Sequence, residues 1–139
     1  MPEYLHAELT SKIIRSFYNV HRRLGPGFLE SIYQNAVAVE LENDGMRVEK
    51  EKLVEIFYNG ALVGNHRLDI LVNETVIVEA KAVEQLNEKL KAQIISYLRA
   101  TNLDVGLLVN FANPELEFKR LGNFYKHKTG KFIRKTERE

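Results

Sequence analysis

The chain has 139 residues, 45% hydrophobic and 28% charged, with a formal net charge of +1 and no cysteine. That length makes one domain around one core, and the missing cysteines exclude disulfides, thiolate zinc sites and cysteine nucleophiles. No run approaches the ~18 apolar residues of a membrane span, and Met1-Pro2-Glu3-Tyr4 lacks the regions of a signal peptide, so a cytoplasmic location without a membrane partner is expected by default.

The charge is unevenly spread. Residues 126–139 carry Lys126, Lys128, Lys131, Arg134, Lys135 and Arg138 against Glu137 and Glu139, a balance of +4, whereas residues 1–125 balance at −3. The chain therefore divides into a domain over 1–125 and a basic C-terminal tail over 126–139. Such a tail can meet phosphates by counterion release; taken alone it reads first as a solvated terminus.

In chain order, Leu9, Ile13, Phe17, Val20 and Leu24 recur at helical spacing and predict a helix over 8–23. Gly25-Pro26-Gly27 breaks it. A second helix is predicted over 29–42, with Ile32, Tyr33, Ala36, Val37 and Leu41 inward, ending at Asn43-Asp44-Gly45. Five extended segments follow, over 46–51, 53–58, 61–64, 67–72 and 75–81, with Asn59-Gly60 as a hairpin turn. A third helix is predicted over 87–101, then a doubly buried strand over 105–111 and an edge strand over 117–121. The order ααβββββαβ(β) places strands on both sides of a helix, which predicts an α/β domain with a mixed sheet flanked by helices.

Two strings about ten residues apart, Arg67-Leu68-Asp69-Ile70 and Val78-Glu79-Ala80-Lys81, put charge into apolar strands. Side-chain parity selects their register. A three-residue loop, Asn73-Glu74-Thr75, sets Asp69 opposite Glu79 and gathers Leu68, Ile70, Val72, Val76, Val78 and Ala80 on one apolar face, leaving Arg67, Asp69, Leu71, Ile77, Glu79 and Lys81 on the other. Carboxylates about 5 Å apart across a strand pair repel unless they share a cation or proton. A hard divalent metal answers that repulsion and activates water, which suggests metal-assisted phosphodiester hydrolysis. Spacing alone supports equally a half-buried ion network in which Lys81 bridges both acids.

Glu30 falls in the first turn of the second helix, and Gln93 and Tyr97 stand four apart on one face of the third. His66 reads as an exposed strand-end histidine, and Arg22-Arg23 and Lys119-Arg120 as solvated charge. Phe124 and Tyr125 beside Lys126 read as core-packed aromatics before a stacking platform.

Taken together these motifs resemble the PD-(D/E)XK nuclease superfamily, in its RecB-like branch, and within it the GxxExxY protein family. The naming motif reads Gly27-Phe28-Leu29-Glu30-Ser31-Ile32-Tyr33, the acid and ExK motif Asp69 and Glu79-Ala80-Lys81, and the glutamine–tyrosine motif Gln93-Ile94-Ile95-Ser96-Tyr97. Gly106-Leu107-Leu108-Val109-Asn110-Phe111 resembles the family's following strand. The resemblance covers roughly residues 8–125; the proline before the first acid is replaced by Leu68. It implies a restriction-endonuclease-like fold and a nuclease acting on DNA or RNA, DNA first. It further implies Mg²⁺ or Mn²⁺ on Asp69, Glu79 and the Ala80 carbonyl, with Glu30 acting through a water. Lys81 would position the nucleophile, and Gln93 and Tyr97 would brace the site or touch the backbone. Arg67, Lys126 and Lys128 are further candidates for phosphate contact. A domain this small offers a duplex limited surface, so two-fold pairing is expected to enlarge it. Two alternatives stand beside the enzyme: a non-catalytic nucleic-acid-binding or protein-interaction module that keeps the fold, and a subunit of a larger defence or repair assembly.

Overall fold

The computed structural model describes residues 5–123; Phe124, Tyr125 and the tail with Lys126 and Lys128 lie outside the described residues. Three helices and five strands are formed among them: α1 (Ala7–Leu24), α2 (Glu30–Asn43), β1 (Val48–Tyr58), β2 (Ala61–Val72), β3 (Val76–Lys81), α3 (Glu88–Thr101), β4 (Val105–Asn110) and β5 (Glu117–Gly122). The strands make one sheet in the order β1-β2-β3-β4-β5. β3 and β4 are parallel and the other neighbours antiparallel. The parallel pair needs a crossover, and α3 supplies it. Asn87 caps that helix, its side chain accepting from the Leu90 N–H at 2.9 Å.

The five extended segments expected before α3 are three strands. Segments 46–51 and 53–58 join as β1, and 61–64 and 67–72 join as β2. Lys52, Asn65 and His66 looked like breaks, but they are ladder members opposite Leu68, Glu55 and Val54. Polar side chains on a ribbon wetted at its sides do not interrupt backbone pairing. The Asn59-Gly60 turn has φ of 51° and 82° and joins Tyr58 to its partner Ala61, as a type I′ hairpin requires.

Two apolar clusters sandwich the sheet. α1 and α2 cover one face through Ile13, Phe17, Val20, Tyr33, Val37 and Leu41, against Ile70, Val72, Val78 and Val109. α3 covers the other through Ile94, Tyr97 and Leu98, against Leu71, Ile77 and Leu108. Ile32, expected inward, is 38% exposed beside Phe28 and Leu29 because it lies one residue off the Tyr33–Val37–Leu41 line. Gly106 lets α3 sit close: a Cβ there would stand 2.6 Å from Cγ2 of Ile94.

The three-residue loop is present, with Val72 opposite Val76 and Ile70 opposite Val78. Parity nevertheless fails at Leu68, which packs with Leu71 and Ile77 beneath α3 rather than with Ile70 and Val78. The β2–β3 ladder stops at Ile70. Across β1, Glu51 lies between residues paired with Ile70 and Leu68 and has φ 55°. That left-handed residue marks a local distortion of β1 beside Asp69, while the β1–β2 register is the same on either side of it.

Candidate active site

The loop before α2 is shaped by glycine and pinned by tyrosine. Gly27 has φ 112°, a conformation that side chains other than hydrogen rarely adopt. The Tyr33 hydroxyl donates to the Gly25 carbonyl at 2.6 Å and accepts from the Phe28 N–H at 3.1 Å. Its ring stacks on Phe111 with centroids 4.8 Å apart. Tyr33 is thus a core residue that fixes the loop and delivers Glu30 to the first turn of α2. From there Glu30 Oε2 lies 3.6 Å from Lys81 Nζ.

Where the β2–β3 ladder stops, the sheet forks. The Asp69 N–H donates to Oε2 of Glu79 at 2.9 Å. One turn along α2 from Glu30, Gln34 donates from Nε2 to Asp69 Oδ2 at 3.0 Å. Helix α2 therefore reaches both prongs, Lys81 through Glu30 and Asp69 through Gln34. The end of β3 is anchored by β4: the Phe111 N–H donates to the Lys81 carbonyl at 2.9 Å. Asn110, wholly buried, exchanges hydrogen bonds with the Val83 backbone at 3.0 and 2.9 Å and so fixes the chain leaving the strand.

Buried charge dominates the electrostatics. Glu79 is 3% exposed; burial, and then the Asp69 charge, push its carboxyl up to about 8. Burial also raises Asp69, offset in part by the Lys81 ammonium and reinforced by the Glu30 charge. Tyr97, lying over the site from α3, is raised to about 12 by burial and then by the two acids. The ion pair of Lys81 is with Glu30, and its charge also acts on Asp69 and Glu79, lowering both.

The remaining candidates spread outward. His66 is half-buried, not an exposed strand end, because its ring meets Tyr97 edge-on at 4.6 Å. Arg67 is exposed and pairs with Glu51 at 3.7 Å. Gln93, one turn before Tyr97, faces solvent. A cavity of about 380 Å³ lies beside Asp69, walled by Gln34, Asn35, Lys50 and Glu51. Gln34 and Asn110 escaped the sequence reading. The first carries a signal, standing four residues after Glu30 on one helix face; the second does not stand out from an apolar strand end.

A family model described as the PD-(D/E)XK nuclease superfamily matches residues 7–121. The chain belongs to the PD-(D/E)XK nuclease superfamily. No curated protein and no solved structure matches it. The mixed five-stranded sheet flanked by helices is accordingly a restriction-endonuclease-like fold.

Members of a nuclease superfamily act on nucleic acid, typically with divalent metals, and the chemistry of this fork suits one. Two buried oxygen donors crowd together beside an ammonium already paired with Glu30, and both keep raised pKa values, which is the condition a hard cation relieves. Among the described residues no three His, Asp or Glu groups gather as a ready metal cage. Mg²⁺ does not need one, since it is commonly held by one or two carboxylates and keeps waters or substrate phosphate for the rest. Asp69 and Glu79 are the residues that fit it.

Proposed function

We propose that this chain is a metal-dependent nuclease of the GxxExxY family, within the RecB-like branch, hydrolysing phosphodiester bonds of nucleic acid, DNA first. The observation that carries the reading is the fork: the Asp69 N–H on Glu79 at 2.9 Å, with Lys81 beside it on Glu30 at 3.6 Å. In this reading Asp69, Glu79 and the Ala80 carbonyl hold Mg²⁺ or Mn²⁺, with Glu30 acting through a water. When bound, the metal supplies a water of lowered pKa and shields the scissile phosphate. Lys81 donates to the attacking oxygen and offsets negative charge as it develops on the phosphoryl group. Glu30 keeps that ammonium aimed. Tyr97 stays protonated and donates its hydroxyl from α3, and Gln93 with Arg67 steadies the phosphate backbone. Lys126 and Lys128 of the basic tail extend that contact. The catalytic unit is residues 1–125, the tail 126–139, and the protein works as a pair of copies in the cytoplasm.

Incubation of the wild type with plasmid and with labelled single strands, in Mg²⁺ and in Mn²⁺, tests this. Metal-dependent cleavage that Asp69→Ala abolishes is expected. A wild type that takes up neither ion by calorimetry ends the enzyme reading and leaves a non-catalytic nucleic-acid-binding module.

A further inference from the structure

Helix α2 meets the fork twice, and the functional reading uses only one of those contacts. Glu30 faces Lys81; Gln34, one turn later, donates from Nε2 to Oδ2 of Asp69 at 3.0 Å. An ionised carboxylate only accepts, so the amide must present its NH₂ to Asp69. Within the sheet the Asp69 carboxyl meets the Ala80 backbone and the Glu79 side chain, and the Asp69 N–H turns to Glu79, so Gln34 is the contact that ties this carboxylate to helix α2. Nor is Gln34 a core filler. It is half-buried and borders the cavity of about 380 Å³ that also takes in Asn35, Lys50, Glu51 and Asp69. A side chain kept only for packing would not spend its amide at the edge of an open cavity.

We infer that Gln34 is a positioning residue for Asp69: its amide holds one carboxylate oxygen and thereby fixes how the other meets a cation shared with Glu79. The inference rests on the metal-dependent reading above. Hydrogen-bond partners of ligating carboxylates and histidines typically control about 10–100-fold in metal affinity or activity.

The test is Mn²⁺ alone, titrated calorimetrically into the wild type, Gln34→Leu and Gln34→Glu, with thermal melting of each metal-free protein alongside. Gln34→Leu keeps the side chain's bulk and removes the donor. It is expected to weaken Mn²⁺ at least about tenfold while its metal-free melting temperature stays close to wild type. Gln34→Glu brings a third carboxylate to Asp69 and is expected to tighten Mn²⁺ relative to Gln34→Leu. If Gln34→Leu binds Mn²⁺ as the wild type does, or loses affinity only in step with its melting temperature, Gln34 is a strut between helix and sheet and the inference fails while the metal reading stands. If the wild type itself binds no Mn²⁺, both fall together.

Discussion

Asp69 and Glu79 are joined through the backbone of one and the side chain of the other: the Asp69 N–H, freed where β2 leaves β3, donates to Oε2 of Glu79 at 2.9 Å. The sheet thus gives up a ladder bond and receives a buried carboxylate in exchange. Burial there favours the protonated form of that carboxyl, which makes the site sensitive to protons and cations.

The first consequence is a pH-dependent stability of the metal-free protein. Glu79 moves from an ordinary value of 4.5 to about 8 on folding, so the folded chain binds this proton more tightly than the unfolded one. Its contribution is fully present below about pH 4.5, declines as pH rises, and is gone above about 8. Denaturant unfolding without metal should lose on the order of a few kcal/mol across that window. Glu79→Gln should flatten the profile, and Mg²⁺ should restore the wild type at pH 8. Identical slopes for the two proteins would contradict the assignment.

Lys81→Met removes the ammonium beside the fork while keeping its stem. Cleavage should fall about a hundred- to a thousandfold, the range for losing one preorganised donor at a developing charge. The drop should appear in kcat with KM little changed, as measured on a labelled oligonucleotide.

Tyr97 keeps its proton throughout the working range. Since its hydroxyl is pushed up to about 12, ionisation of Tyr97 should contribute no alkaline limb to the rate profile. An ultraviolet difference titration of wild type against Tyr97→Phe should show no tyrosinate from this position below about pH 11.

Gly106→Ala should destabilise the fold by about 1–3 kcal/mol, as overpacking does, because the added methyl would lie 2.6 Å from Ile94 Cγ2. Thermal melting checks it. Ile94 is three residues from Tyr97 on α3, so relief by lifting the helix should also lower cleavage at temperatures where the protein remains folded.

The sequence was most legible where one physical signal acted alone. Helical periodicity placed α1, α2 and α3 to within about a residue or two, and Asn59-Gly60 announced its turn. Parity found the three-residue loop at Asn73 because a one-residue slip would have mixed both faces. The same reasoning misplaced Leu68, since parity assumes that the β2–β3 ladder continues and it ends at Ile70. Polar Lys52, Asn65 and His66 suggested strand ends because a sequence does not say that a ribbon runs out past its neighbours. Asp69, Glu79, Lys81 and Glu30 were readable as a group through motif order. Gln34 shares the helix face of Glu30 but did not stand out, because its partner Asp69 comes from a strand 35 residues later.

The forked sheet has a mechanical corollary. β2 is 12 residues long, yet β3 pairs with only its last three. The rest runs out with β1 as a two-stranded arm ending at Asn59-Gly60, with Leu53, Tyr58, Leu62 and Val63 open to solvent. From that tip to Asp69 the strand measures roughly 30 Å, and between them His66 rests edge-on against Tyr97 of α3. Asp69 therefore sits at the inner end of this arm, where its backbone has no ladder bond to β3 and is held instead through Glu79 and Gln34.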